Sequence, residues 1–331
     1  MPRAAHTATK LADGRVLIAG GFGVGRNERS MEIFVPGTAT FVPAGDLDVP
    51  RYSHTATLLA DGRVLIAGGY TDGATRVASA VLYDPRSGTL TPTGSMLAPR
   101  ADQTAVRLSD GRVLLVGGTG VGTTFLATSE VYDPSTGRFT AAGTMGESRE
   151  ANTLTLLSDG RVLVAGGHRG RAPNTVVLAS AELFEPRSGL FTPTGAMSVR
   201  RAKHDAVRLR DGNVLLLAGA DERDDLGAYA TAEVYDAARG TFSPAAPLTA
   251  PRYKIRDMTA LLPSGRILVA GGASHPELYS AVTGSITLTV SFGRAPLIGT
   301  ATLLDDGRVL LAGGYSLTGP ASSDAWVVSV P

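Results

Sequence analysis

The phrase Asp-Gly-Arg-Val-Leu returns again and again down this chain, and no other feature constrains the fold as tightly. Its turn dipeptides are Asp13-Gly14, Asp61-Gly62, Asp110-Gly111, Asp159-Gly160, Asp211-Gly212, Ser264-Gly265 and Asp306-Gly307, spaced by 48, 49, 49, 52, 53 and 42 residues. A unit of this length cannot bury its own apolar face and must stack on its neighbours. Seven copies over 331 residues therefore describe one array, a single domain over 1–331. Its repeats run approximately over 3–48, 49–97, 98–146, 147–198, 199–249, 250–292 and 293–331.

One copy shows the content of a unit. In the second, residues 55–59 and 63–67 are β-prone runs flanking Asp61-Gly62, the strongest short-range hairpin signal. A variable loop follows, then a third run at 81–83, a tight turn at 84–88 and a fourth run at 89–92. Each repeat is thus four short antiparallel strands, A to D. Strand B is apolar at successive positions, as in 113–116 and 214–217, which requires cover on both faces. Strand D carries Pro43, Pro92, Pro193 and Pro244, and proline cannot donate to a ladder, so D is the outer edge.

Sheets covered on both faces satisfy one another only by closing a ring. The expected fold is all-β, a seven-bladed β-propeller of four-stranded antiparallel blades with the last blade three-stranded; the alternative is a six-bladed ring with an extra hairpin. The seventh copy ends after three strands. Because Met1-Pro2-Arg3 matches Val49-Pro50-Arg51 and Ala250-Pro251-Arg252, the chain is expected to begin inside a longer natural one.

Composition narrows the function. With 41 Gly and 19 Pro but 43% hydrophobic residues, the chain has ample material for a core and is not disordered. Lys and Arg number 31 against 30 Asp and Glu, so no overall basic field invites nucleic acid. The longest apolar run, about seven residues near 214–220, is far too short to span a membrane. The absence of cysteine removes disulfides, thiolate metal ligands and cysteine nucleophiles.

The repeats resemble kelch repeats. A Gly doublet ends strand B at Gly20-Gly21, Gly68-Gly69, Gly117-Gly118, Gly166-Gly167, Gly271-Gly272 and Gly313-Gly314, the fifth copy departing with Ala218-Gly219. The pattern Tyr-Asp-Pro-x-Thr-Gly stands at 132–137 and, with Ser for Thr, at 83–88, and strand D opens on Phe41, Leu90, Phe139, Phe191 and Phe242 where the family usually has Trp. The style is closest to bacterial kelch and galactose oxidase-like propellers. The resemblance implies a secreted or cell-surface setting, although residues 1–10 lack the apolar core of a signal peptide. Galactose oxidase builds its cofactor from copper and a Tyr–Cys cross-link, which a chain without cysteine cannot make. The family's sialic acid mutarotases and iron-using nitrile-specifier proteins offer other precedents, but no His and carboxylate cluster here has metal-ligand spacing. No cofactor and no metal are expected.

Strand order places the short A–B and C–D turns on one rim and the variable B–C and D–A loops on the other, and variable loops on a rigid frame are where binding concentrates. Just before strand A an arginine recurs: Arg3, Arg51, Arg100, Arg149, Arg201, Arg252 and Arg294. If these encircle the channel mouth they form a positive funnel, and arginines in similar places line the acidic-peptide pockets of animal kelch proteins. Against this, Glu32, Glu130, Glu182, Glu233 and Glu277 recur in strand C, which suggests structural pairing. Three residues beyond each arginine stand His6, His54, Gln103, Asn152, His204, Ile255 and Leu297, a lopsided polar lining for the channel. Asp205 and Asp257 lie close by in sequence. The arginines of the Asp-Gly-Arg turns are expected to be merely solvated.

With no nucleophile motif, cofactor loop or metal constellation, the sequence reads as a non-enzymatic binding or scaffold propeller holding an anionic peptide, glycan or protein partner on the B–C/D–A rim. The candidate ligand-binding residues are the seven arginines with His54, His204, Gln103 and Asn152. The alternative is a sugar isomerase or lyase at the channel mouth using His54, His204 or Asp257.

Overall fold

The computed structural model describes residues 1–288, 291, 293 and 295–330. Six four-stranded antiparallel sheets and one three-stranded sheet each follow the chain in the order A, B, C, D from centre to edge. In blade one these are Thr7–Lys10, Val16–Ala19, Ser30–Val35 and Thr40–Asp46. The A strands pack side by side around a central channel, and that of blade seven, Thr300–Leu303, returns to that of blade one. Backbone bonds close the join, from Gly314 N–H to the Arg3 carbonyl at 2.9 Å and from Arg3 N–H to the Ser322 carbonyl at 2.9 Å. The fold is a seven-bladed β-propeller. Its last blade consists of Thr300–Leu303, Val309–Ala312 and Ala325–Val328.

Burial follows the sequence logic. The B strands are buried throughout, as at Val113–Val116 and Val214–Leu217, because each is sandwiched between the sheets of two neighbours. The core accordingly lies between blades: Leu17 and Ile33 of blade one pack with Val64, Ile66 and Tyr83 of blade two. Fully burying each such side chain is worth about 1.5–3 kcal/mol, so the ring is held by its interfaces. In four blades strand D sets one aromatic ring against an aromatic residue of strand C: Phe34–Phe41, Tyr132–Phe139, Phe184–Phe191 and Tyr235–Phe242, with centroids 5.1, 4.8, 4.9 and 4.9 Å apart. Pro43, Pro92, Pro193 and Pro244 all sit in these edge strands.

Insertions fall on one rim. The fourth B–C loop carries a small hairpin (His168–Arg169 with Val176–Val177), and the second and fifth carry 3-10 turns at Asp72–Ala74 and Asp224–Gly227. Among the described residues no helix is long and apolar enough to cross a membrane.

On the opposite rim the Asp-Gly-Arg arginines do more than meet solvent, contrary to expectation. Arg15, Arg112, Arg161 and Arg308 each hold the aspartate of their own turn and also donate to a C–D turn carbonyl of the next blade: Pro85 at 3.2 Å, Pro186 at 3.3 Å, Ala237 at 3.3 Å and Pro36 at 3.3 Å. In these four copies the repeated arginine is an inter-blade strap, whereas among the described residues the Arg63 side chain holds only Asp61 of its own turn.

Candidate functional site

The ring of arginines before strand A does not form the funnel expected of it. Arg3, Arg51, Arg100, Arg149, Arg201 and Arg252 are essentially inaccessible, at 0–3% exposure. Arg100 is representative: Nη1 donates to the Gly117 and Thr128 carbonyls at 3.1 and 3.2 Å, and Nη2 to Glu130 Oε1 at 2.6 Å. Glu130 in turn accepts from the amides of Leu97 and Ala98 in the D–A connection. The guanidinium fork thus ties the end of strand B, the start of strand C and the incoming loop into one knot. Arg3–Glu32, Arg149–Glu182, Arg201–Glu233 and Arg252–Glu277 repeat it at 2.6, 2.8, 2.9 and 2.7 Å. Blade two has Val81 in place of the glutamate, and Arg51 turns to Asp48 at 2.7 Å. The role of these six arginines is structural. Arg294 lies outside the described residues, and the register shows that the seventh position is Pro296: Gly272 N–H donates to the Pro296 carbonyl where other blades use the arginine carbonyl.

The polar residues three places on form a belt between blades, just below the mouth. His6 Nε2 is hydrogen-bonded to Thr300 Oγ1 at 3.1 Å, His54 Nε2 to Thr7 Oγ1 at 3.0 Å, and His204 Nε2 to Thr153 Oγ1 at 3.1 Å. Asn152 Nδ2 donates to Thr104 Oγ1 at 3.1 Å and Gln103 Nε2 to the Ala67 carbonyl at 2.9 Å. Burial, with the nearby Arg3, Arg51 or Arg201 charge, depresses all three histidines to a pKa of about 3, so they are neutral connectors. His204 faces Thr153, so it forms no dyad with Asp205. The belt position of blade seven is Gly299, two residues beyond Leu297.

The Gly doublet exists for this belt. A Cβ on Gly166 would stand 2.5 Å from the Arg201 carbonyl oxygen and 2.8 Å from His204 Cε1 of the next blade, and one on Gly167 would meet Asn152 Cβ at 2.9 Å. The first glycine admits the neighbour's belt residue and the second its own.

Above the belt the mouth is framed by seven non-glycine residues in the left-handed region: Ala5, Ser53, Asp102, Ala151, Lys203, Lys254 and Ile298, with φ between 50° and 58°. Backbone bonds pass from one to the next, Ser53 N–H to Ala5, Asp102 N–H to Ser53, Lys203 N–H to Ala151, Ile298 N–H to Lys254 and Ala5 N–H to Ile298, at 2.9–3.1 Å. Backbone of this kind costs about 1–3 kcal/mol per residue and is kept where the surroundings over-determine it. It turns seven side chains of unlike chemistry toward one opening.

Blade six breaks the pattern. Ten residues lead from the arginine to the Asp-Gly turn in the first five copies, and twelve lead from Arg252 to Ser264. The extra pair is Arg256-Asp257, since Ala270 N–H reaches the Met258 carbonyl at the place where strand A begins in other blades. Both residues line the channel and its mouth, a cavity of about 460 Å³ capped by one of about 220 Å³. Below them Asp205 accepts from Thr259 Oγ1 at 2.7 Å and from the Ala206 amide at 2.9 Å. Burial, reinforced by Asp257, raises Asp205 to about 7, against the pull of these bonds and of Arg256. At the mouth Asp102 is raised, chiefly by burial and then by the Glu150 charge, with Arg256 and the Ser53 and Tyr70 hydroxyls opposing. For Glu150 burial acts upward, yet His168 at 3.1 Å and the Arg171 guanidinium together outweigh it and hold the carboxyl down. Lys203 Nζ meets Asp224 Oδ1 at 2.5 Å, and Lys254 Nζ donates to Tyr315 OH at 2.9 Å.

The mouth is therefore two-sided. Blades five and six supply Lys203, Lys254 and Arg256, with Asp224 against both lysines and Asp257 3.6 Å from Arg256, while blades three and four supply Asp102 and Glu150. Among the described residues no three His, Cys, Asp or Glu side chains gather as a metal site.

No family model matches the chain, and no curated protein matches it. The site is defined by its own geometry. Sequence reasoning put the variable loops on this rim but passed over Asp102, Glu150, His168, Lys203, Lys254 and Arg256, because each is unique to its copy and only repeated positions stand out in one dimension. The available signal was the two-residue excess before Ser264.

Proposed function

We propose that this chain is a kelch-type binding propeller whose working face is the B–C/D–A rim, where the channel mouth holds an anionic group presented by a glycan, a peptide or a protein. One observation carries the reading: the Arg256-Asp257 insertion breaks an otherwise regular frame and brings a guanidinium, with the Asp257 carboxylate 3.6 Å from it, to the mouth that Lys203 and Lys254 also line. Planar guanidinium geometry suits a carboxylate, and the facing Asp102 and Glu150 accept from hydroxyl or amide donors of the same ligand. A mouth of about 220 Å³ takes one small group and not a whole chain.

The test is chemical-shift mapping with two carboxylate carriers, galacturonate and a glutamate-containing dipeptide. Binding of either should perturb Lys203, Lys254 and Arg256 and weaken with salt. Absence of binding by both, or perturbations confined to the Asp-Gly-Arg rim, overturns the reading.

One feature favours acid–base chemistry at the same mouth as a second reading: two carboxyl groups, Asp102 and Glu150, line it together, and only Glu150 is held by His168 and Arg171. Deuterium incorporation at carbon from D2O into a bound sugar acid, abolished by Asp102→Asn and by Glu150→Gln, is its test.

A further inference from the structure

In six of the seven blades the residue after the strand-B Gly doublet (Ala218-Gly219 in blade five) and the residue after the frame arginine (after Pro296 in blade seven) face each other across an isolated antiparallel bridge on the shoulder of the mouth: Ala4 with Phe22, Tyr52 with Tyr70, Ala101 with Thr119, Glu150 with His168, Ala202 with Ala220 and Leu297 with Tyr315. The frame is constant and the occupants are not. Aromatic rings cluster on blades seven, one and two. Phe22 lies 5.7 Å from Tyr52 and 6.0 Å from Tyr315, and Tyr52 stacks on Tyr70 at 5.0 Å with 24° between the planes. Small and charged pairs hold the other side. The aromatic shoulder adjoins the cationic arc of blades five and six where Lys254 Nζ meets Tyr315, and runs away from it through Phe22 and Tyr52 to Tyr70.

Beside this aromatic arc the first and second B–C loops leave a groove of about 550 Å³ lined by Phe22 and Tyr52, with Arg26, Asn27 and Asp72 also on its wall. Asn27 Nδ2 donates to Asp72 Oδ1 at 3.1 Å, which joins the two loops. Groove and mouth adjoin, since Tyr52 borders the first and Ser53 the second. The wall offers guanidinium, amide and carboxylate within one short stretch, a mixture of donors and acceptors that suits hydroxyls, which do both. Half-buried tyrosine and phenylalanine rings offer flat apolar faces with polar rims. A pyranose has that pattern: an apolar C–H face and equatorial hydroxyls. A peptide strand would seek backbone partners, yet the Gly23 amide is already given to the Arg26 carbonyl.

Resting on the mouth as an anion site, we infer that the ligand is an acidic oligosaccharide: its terminal uronate enters the mouth, and the next sugar unit lies on Phe22 and Tyr52 in the groove between the first two B–C loops. Chain length, charge and the two sites are then separable. The experiment is titration calorimetry of the full chain with galacturonate monomer, dimer and tetramer, and with a neutral galactose tetramer. The acidic dimer and tetramer should bind at least about tenfold tighter than the monomer, about 1.4 kcal/mol. Tyr52→Ala and Asp72→Ala, at an exposed position, should both erase that gain and leave monomer affinity unchanged; Asp72→Ala guards against a merely misfolded Tyr52 variant. Equal affinity for monomer and oligomers, or a gain surviving both substitutions, overturns the groove while leaving the mouth intact. Failure of every acidic sugar, monomer included, overturns this inference; whether the mouth reading survives is then decided by the dipeptide.

Discussion

Gly166 and His204 belong to adjacent blades, and the space where a side chain on Gly166 would begin is filled by the His204 ring, 2.8 Å from that position. Gly166 sits at φ 60°, and its missing Cβ would also lie 2.5 Å from the Arg201 carbonyl oxygen. Gly166→Ala should therefore destabilise the ring by roughly 1–3 kcal/mol from conformation alone, with the backbone clash added. Because the oxygen cannot be removed, a Gly166→Ala/His204→Ala double variant should not recover. Urea unfolding of the single and double variants checks this.

The arginine knots predict a second hierarchy. Arg100→Ala leaves Glu130 buried without its cation, and breaking a buried pair in this way costs about 3–5 kcal/mol. Arg51, whose partner Asp48 is one-third exposed, loses less through Asp48→Ala than Arg100 loses through Glu130→Ala. Chemical denaturation of the two carboxylate variants should rank them in that order, and equal losses would contradict the knot as described.

Acid stability turns on the belt. The folded pKa of His6, His54 and His204 lies near 3, well below the ordinary 6.5, so the unfolded chain binds protons first as pH falls. Their neutral burial stabilises the ring above pH 6.5, and that stability is lost progressively from pH 6.5 down to about 3. Copies three and four already show the substitutes, Gln103 and Asn152. His54→Gln and His204→Asn should flatten the acid limb of a melting-temperature profile while changing little at pH 8.

Asp205 works in the opposite sense. Its folded pKa of about 7 exceeds the ordinary carboxylate value of 3.8, so the folded chain holds the proton more tightly. Stability falls as pH rises from about 4 to 7 and levels above that, with a ceiling on the order of 4 kcal/mol. Asp205→Asn should stabilise the protein at pH 8 and leave it unchanged at pH 4, and Asp257→Asn should lower the Asp205 titration midpoint seen by NMR.

These contrasts explain what could be seen in the sequence. The apolar B strands, the Asp-Gly turns and the edge prolines set strand order and the placing of the loops on two rims, and seven copies of them favoured the seven-bladed ring over the six-bladed alternative. The frame arginines misled because a repeated cation beside a channel and a repeated cation inside a sheet look alike in one dimension; Glu130 and its counterparts were the clue that decided between them. Arg294 was taken for the seventh of the series because an arginine stands near the expected place, whereas the hydrogen-bond register selects Pro296. The mouth was illegible for another reason: Asp102, Glu150 and Lys254 come from different blades, 48 to 152 residues apart, and only ring closure makes them neighbours.

The account rests on a division between a regular frame and a single irregular insertion that equips the mouth. Deleting Arg256 and Asp257 restores the ten-residue spacing of the first five copies, and galacturonate titration of that variant beside the parent chain is the most direct measurement. The account predicts a folded propeller with a melting temperature near the parent's and at least about a tenfold loss of affinity. Unchanged binding by the folded deletion variant would contradict it.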